Sequence, residues 1–586
     1  MKKIIYSIAI LSLVGTTNHF IGSSIISAQQ QGEVTDVAQV LPESTIVVVG
    51  LNNPAELMES IDNHPLFQHV KQLPNYQQAL SNPQLLQLEN FVETQLQMEW
   101  EEALSKSTHG GVYGMFDAEY QAGAMLLHGD DDALTQVQDT IVGFVRSVGA
   151  LAGQNPVKHG EYMGIQAYQI GETRFATHNG WTVVTNNAEY GRQILNRLDG
   201  TSTSSLAQTD AYKKASAARK NDMGDGWIFA NTATLQDDGQ LEQAELGMQE
   251  NMLVELLFGG ILSQLKHTPY LLGSIDLEDS HIRFEVDSAF DDSHIPDIRR
   301  YYFGQHDSKG APLSLDVPNQ VLAINTYRDL GQWWLLAPDL FSDQVNEGIA
   351  QVDSTLSTFF GGKDFGQDIL ASLEPEIQII STTQSFDGKP EPEIKVPSFA
   401  LVAAMKDPET MKAELNRTFI SGIGFINIIG AMEGQPQFDI ALEEVDGASL
   451  VSTKYLKPLD GEPVAIQYNF SPTIAFFGNN VVFSSTRDLA LAVAKSKPAS
   501  PSAANANRKT NFEAILNAEP IRDAIEANKE QFIVQTVLND GSSREQAEAQ
   551  VDLLLEGIGL AKQFFVRLDQ SEDNLKLTFE LRFKDQ

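Results

Sequence analysis

AMLLHGDDDAL, residues 124–134, returns as ALVAAMKDPET at residues 400–410, 276 positions further on. Each reads as a short apolar run, a polar break, and then the acidic opening of a helical pattern. Working outward, LPESTIVVVG (Leu41 to Gly50) matches VPNQVLAINT (Val317 to Thr326) at the same separation, with Pro42 opposite Pro318. WTVVTNNAEYGRQIL (Trp181 to Leu195) matches NVVFSSTRDLALAVA (Asn480 to Ala494), and VGALAG (Val148 to Gly153) matches IGAMEG (Ile429 to Gly434). EQAE stands at Glu242 to Glu245 and again at Glu545 to Glu548, and FEV at Phe284 to Val286 answers FEL at Phe579 to Leu581. Six recurrences in one order, at separations that drift as loop insertions would make them drift, indicate two tandem copies of one module.

Within a module the periodicity is mixed. Ile46 to Val49, Met125 to Leu127, Thr182 to Thr185 and Ile228 to Ala230 are short apolar or β-branched runs that predict strands. Asn179-Gly180 before Trp181 predicts a tight hairpin, and Gly478-Asn479-Asn480 stands in the same place in the second copy. Asn53-Pro54 and Asp407-Pro408 predict helix starts, as do Asn187 and the Ser484 to Asp488 stretch. Leu253 to Leu265 and Val551 to Leu560 predict helices leading into closing strands. The expected fold is α+β: two tandem duplicated modules, each a largely antiparallel sheet with helices packed on one face. The expected boundaries are a signal peptide over 1–28, a first module over 38–290, a linker over 291–316 and a second module over 317–586. Phe386 to Pro397 and Lys495 to Thr510 are expected to be loops inside the second module.

The strand-to-helix phrases LPESTIVVVGLNNPAELMESI, AMLLHGDDDALTQVQ and TVVTNNAEYGRQIL resemble a widespread family of uncharacterised exported bacterial proteins. The resemblance covers most of the first copy and fades in the second. It implies no activity, cofactor or catalytic residue.

The N-terminus has the pattern of an export signal. Lys2 and Lys3 precede the apolar run Ile4 to Val14, and Ile26-Ser27-Ala28 precedes a glutamine cluster, so cleavage is expected near Ala28. The run is too short to span a bilayer, and no later segment of the mature chain reads as a span. The chain is therefore expected in the periplasm or outside the cell. It contains no cysteine, which excludes disulfides, thiolate metal sites and cysteine nucleophiles. With 586 residues and a net charge of −38, it is long enough for several cores and too acidic to bind nucleic acid.

Chemical motifs are sparse. His64 and His69 are five apart and do not share a helical face, so surface histidines are expected rather than metal ligands. Asp130-Asp131-Asp132 lacks the alternation and the later bidentate Glu of a calcium loop, and Lys406-Asp407-Pro408 replaces it in the second copy. A helix N-terminus explains both. Nucleophile-elbow and phosphate-loop patterns are absent from the sequence, and Gly422-Ile423-Gly424 lacks the context for phosphate binding. Trp333-Trp334 reads either as core or as an aromatic anchor, core being the expected one. No catalytic, cofactor-binding or metal-binding residue is assigned, no cofactor is expected, and an enzyme is not expected. The predicted function is an exported non-catalytic protein, an envelope or extracellular interaction or structural module. The alternative is a carrier holding an apolar ligand between sheet and helices. Gly149 and Ala150, with Gly430 and Ala431, are expected on a helix face pressed against the sheet.

Overall fold

The computed structural model describes residues 37–71, 93–94, 98–151, 153, 155–218, 224–235, 246–304, 309–456, 464–498 and 509–584. The export signal and the first EQAE phrase lie outside these residues. The chain forms two compact units, Met1–Asp238 with Thr268–Ala289, and Gly239–His267 with Phe290–Gln586.

The first unit carries ten strands: β1 (Thr45–Leu51), β2 (Gly111–Asp117), β3 (Ala122–His128), β4 (Val157–Tyr162), β5 (Ile165–Ile170), β6 (Thr173–His178), β7 (Trp181–Thr185), β8 (Gly226–Asn231), β9 (Tyr270–Glu278) and β10 (His281–Ala289). They pair antiparallel throughout, in the order β10-β9-β8-β1-β2-β3-β7-β6-β5-β4. The second unit carries β11 (Gln320–Tyr327), β12 (Leu373–Thr382), β13 (Ser398–Met405), β14 (Phe438–Val445), β15 (Ala448–Tyr455), β16 (Thr473–Phe477), β17 (Asn480–Ser484), β18 (Lys509–Asn517), β19 (Ala561–Gln570) and β20 (Asn574–Phe583). Their order is β20-β19-β18-β11-β12-β13-β17-β16-β15-β14, again antiparallel. The two orders coincide once β11 is set against β1. Register coincides too at the centre: Ala124 faces Thr185 between β3 and β7, and Ala400 faces Ser484 between β13 and β17. These are the residues that the recurring phrases place opposite one another.

Local chemistry explains the elements. Asn179 and Gly180 both have positive φ, 51° and 76°, which joins β6 to β7 by the two-residue hairpin predicted. Helix α1 (Pro54–Asn63) is capped by Asn53 with Pro54 in its first turn, and α2 (Asp131–Leu151) opens on Asp131 and Asp132. Helix α3 (Ala188–Leu198) starts at Asn187, whose side chain accepts from the backbone N–H groups of Glu189 and Tyr190. It is followed by α4 (Asp210–Ala218), and α5 (Met252–Leu265) belongs to the second unit.

The α+β class with antiparallel sheets is as the sequence predicts. The helices, expected on one face of each sheet, cover both. Val183 and Val184 are neighbours on β7, so they point to opposite faces, yet both are buried. Val183 joins Tyr113, Trp181, Trp227 and Phe229 beneath α3 and α4, while Val184 joins Phe175, Ile170 and Val142 of α2. In the second unit, Val482 packs on Leu489, Ala490 and Val493, and Val481 packs on Met411 and Leu415. Each such fully buried aliphatic side chain contributes about 1.5–3 kcal/mol relative to exposure.

Residues 291–316, expected as a linker, are in part core. They include α6 (Arg300–Phe303), whose Tyr301, Tyr302 and Phe303 are fully buried. Three aromatic rings in a row overrode a reading based on Asp, Pro and Gly content. The Tyr301 hydroxyl donates to Glu255 of α5, and the Tyr302 hydroxyl donates to the Leu257 carbonyl at 2.7 Å. Arg299 closes a bidentate ion pair on the buried Glu255 carboxylate, at 2.7 and 3.0 Å. The buried Arg328 guanidinium lies over the Tyr302 ring, 3.6 Å from its centroid, and donates to Leu256 O and Asn511 Oδ1. The Phe386 to Pro397 segment is a loop as expected, pinned by Asn469 and Asn528 through hydrogen bonds to the backbone of Ile394, Lys395 and Val396.

Candidate functional site

The longest helix of the second unit, α7 (Pro408–Met432), changes character along its length. Asp407 caps it, accepting from Thr410 N, and Pro408 occupies the first turn. Met411, Leu415 and Ile423 recur every fourth or eighth residue and are buried, Met411 and Leu415 against Ile474, Phe476 and Val481 of the sheet. Glu409, Lys412, Glu414 and Arg417 charge the first half. Beyond them, from Thr418 to Met432, no residue is charged.

In that second half the apolar residues run all round the helix. A helix of that kind is ordinarily buried. Here Phe425, Ile426, Ile428, Ile429 and Met432 are exposed, Ile428 to 63% and Met432 to 83%. Asn427 ties the helix to the start of β14: its amide donates to Phe438 O at 2.8 Å, and its carbonyl accepts from Phe438 N at 2.7 Å. Strand β14 pairs with β15 on one side, and among the described residues no strand covers its other edge. Leu442 on it is 75% exposed. Leu456 and Ile466 are exposed as well, and the backbone of Leu456 and the side chain of Gln467 bond to Gln437 and Gln435 just beyond the helix. Together these residues form an uncharged apolar surface beside an open strand edge. Its border carries Glu433, Glu444 and Asp439, the last ion-paired to Lys454 at 3.5 Å, and is acidic on balance.

The glycines of this surface differ in role. A Cβ on Gly422 or Gly424 would meet nothing within 4 Å, so no packing inside the described residues requires them to be small. Gly434 has φ 72° and ends the helix; its N–H donates to Ala431 O, and Gln435 N–H donates to Gly430 O at 2.7 Å. That pair of bonds is a Schellman cap. In the first unit Gly153 has φ 68° and its N–H donates to Ala150 O, the counterpart of the Gly434 to Ala431 bond, at the end of α2. The shared VGALAG and IGAMEG phrase is therefore a helix stop. The expectation that its small residues press on the sheet is corrected: Gly149 is buried, but Ala150 and Ala431 are exposed, and a Cβ on Gly430 would approach only Gln435.

The remaining sequence candidates do not converge. His64 ends α1, is buried rather than on the surface, and accepts from Leu66 N; burial lowers its pKa. His69 lies on the next helix, Pro65–Lys71. Asp131 accepts from Gly180 N at 2.9 Å, and Asp130 meets the exposed His109. Trp333 is core, edge-on to Trp334 and Phe341. Among the described residues no three His, Cys, Asp or Glu side chains are grouped to hold a metal ion, and no helix is long and apolar enough to cross a membrane. The apolar surface on α7 was missed because its residues read equally well as core. Its only sequence signal is the absence of charge from Thr418 to Met432.

No protein-family model and no curated protein matches the chain. Solved structures of TP0453 are similar to it only slightly. Crystal form III has a TM-score of 0.23 and 10% identity, covering 48% of this chain and 89% of that one. Crystal form I has a TM-score of 0.23 and 13% identity over 44% and 79% of the two chains. Likeness this slight fixes neither fold nor function.

Proposed function

We infer that the chain is an exported, non-catalytic interaction module that docks a partner protein on the second half of α7 and the free edge of β14. The observation that carries this reading is the uncharged turn-by-turn exposure of Phe425, Ile426, Ile428, Ile429 and Met432 on a protein whose net charge is −38. Contiguous exposed apolar surface rimmed by polar residues marks interaction sites. The occupant is an apolar helix or strand bordered by lysine and arginine, because the rim here is acidic and complementary charge sets partner choice. A lipid surface is the poorer match, since interfacial helices carry cations on their polar face and this stretch has none. Export is supported by the Lys2-Lys3, apolar and Ile26-Ser27-Ala28 pattern at the N-terminus. The matching strand orders support the reading of two tandem copies.

The test places a photo-crosslinking amino acid at Met432, with Glu161 of β4 as control, in the organism that makes the protein. The expected adduct is one protein species with a basic contact face, and the purified partner should lose binding to a Phe425→Glu, Ile428→Glu variant. Adducts mainly to lipid, to a second copy, or equally from both positions would reject the reading.

A further inference from the structure

Positions that coincide in the two sheets differ sharply at one place. Four residues along from the Ala124 and Thr185 pair, His128 faces Trp181, and the rings stack with centroids 4.1 Å apart. Trp181 is buried, with Tyr113 beside it at 6.0 Å. The coinciding pair in the second sheet is Ala404 facing Asn480. Two large rings are replaced by a methyl group and a short amide. Where the rings would stand, the second unit has a cleft of about 510 Å³.

The walls of this cleft are specific. Glu374, Glu376 and Gln378 of β12 all line it. Tyr327 faces Glu376 from β11, and Val402 faces Gln378 from β13. Gln378 is only 6% exposed, and its amide nitrogen is committed to Leu313 O at 2.8 Å and Asn325 Oδ1 at 2.9 Å. That fixes the amide orientation and leaves its oxygen, which accepts from no described residue, as the acceptor available to the cleft. Glu374 and Glu376 are half-buried and form no ion pair among the described residues. Asn479 and Asn480 add amides, and the cationic Lys309 lies exposed on the wall.

We propose that this cleft binds a small organic cation, a primary amine or guanidinium of about amino-acid size. Two carboxylates and a locked amide oxygen call for a ligand rich in N–H donors and positive charge. The volume favours an organic ligand over a bare metal ion, roughly 300–1,000 Å³ being usual for small-molecule sites. The apolar part of the ligand would lie on Val402, Ala404 and the Tyr327 ring. Lys309 favours ligands that carry a carboxylate at the far end. A free amino acid and a diamine share the cationic group, and only the first has that carboxylate.

Calorimetric titration of the full chain with L-arginine, putrescine and calcium chloride tests this. The expected result is one saturable site for L-arginine or putrescine, weakened at least tenfold by Glu376→Gln and lost in Asn480→Trp, which refills the cleft as Trp181 does. Circular dichroism should be unchanged in both variants. Should Asn480→Trp misfold, Glu374→Gln provides the second reading at a half-buried residue of the cleft wall. A preference for L-arginine that disappears in Lys309→Met would identify the amino acid as the ligand class, and equal affinity for putrescine would identify the diamine. The proposal is overturned by the absence of a saturable site, by stronger binding of calcium, or by many weak sites indifferent to the variants, as diffuse attraction to an acidic chain would give.

Discussion

His128 lies flat against Trp181, 6° from parallel, in the interior of the first sheet. The stack fills the volume that the second sheet leaves open beside Ala404 and Asn480. Trp181→Ala should therefore cost about 3–5 kcal/mol, the range for deleting a buried aromatic. Asn480→Trp should be close to neutral, because it enters existing space. Urea denaturation of both variants beside the parent checks the contrast, and equal losses would mean that the cleft is closed in solution.

Burial of the His128 ring pushes its pKa down from 6.5. A histidine with a lowered folded pKa stabilises above its unfolded value and loses that contribution as pH falls through the folded value. Unfolding of the first unit should thus become easier on going from pH 7 downward through about 6.5. His128→Phe should flatten that slope in thermal melts followed by tryptophan fluorescence. An unchanged slope would show that another group titrates.

Glu443 shows the opposite device in the second unit. Hydrogen bonds from the Arg487 guanidinium and from Ser452 hold its carboxyl down at about 2, against an ordinary 4.5. The stability it supplies is complete above the unfolded value and is lost as pH falls from about 4.5 toward 2. Glu443→Gln should lower the melting temperature at pH 7 and leave it unaltered near pH 2. A loss of equal size at both pH values would assign the effect to packing.

How much of this was legible in the sequence depends on which force decided each element. The starts of α1, α3 and α7 were legible at Asn53, Asn187 and Asp407, because a cap is a local bond between near neighbours, whereas the order of strands across each sheet is set by pairings between distant segments. The Gly434 stop is spelled out in the chain, since glycine just past a helical pattern is a local signal, but the packing expectation rested on Gly430 and Ala431 of the same phrase and passed it over. Tyr301 to Phe303 could not be recognised as core, since their partners Glu255 and Arg328 are distant in sequence. The cleft was invisible for the same reason: Glu376, Ala404 and Asn480 come from three separate strands.

The two kinds of glycine on α7 give a prediction of opposite sign. Gly422 lies mid-helix with open space at its Cβ, so Gly422→Ala should stabilise, by up to about 1 kcal/mol. Gly434 sits at φ 72°, where an L side chain is strained, so Gly434→Ala should destabilise by about 1–2 kcal/mol. Chemical denaturation of the pair separates the two effects. If Gly422→Ala destabilised instead, something outside the described residues would be packed on that face.

The buried ion pair sets a larger stake. Glu255 is fully buried and binds Arg299 through both oxygens, with Tyr301 as a further donor. Removing Glu255 takes away the carboxylate that holds the buried Arg299 through both oxygens, and breaking a buried pair in this way costs about 3–5 kcal/mol. Glu255→Ala should show that loss in urea denaturation, while replacing both residues by apolar ones should recover a large part of it. A single-variant cost below 1 kcal/mol would mean that water reaches the pair.

The apolar face of α7 makes the last prediction, and it turns on comparing two isoleucines of one helix. Ile423 is buried at 3% exposure and Ile428 is 63% exposed. Ile423→Ala should cost about 2–5 kcal/mol, as for other buried aliphatic truncations. Ile428→Lys removes an exposed side chain and adds a charge to an uncharged stretch, and it should change stability by no more than about 0.5 kcal/mol. The same Ile428→Lys variant should lose the partner that crosslinks from Met432, because a lysine there meets a basic border with like charge. Stability and binding thus separate at this position. Were Ile428→Lys as destabilising as Ile423→Ala, the face would be covered by the protein's own chain in solution, and the docking reading would fall.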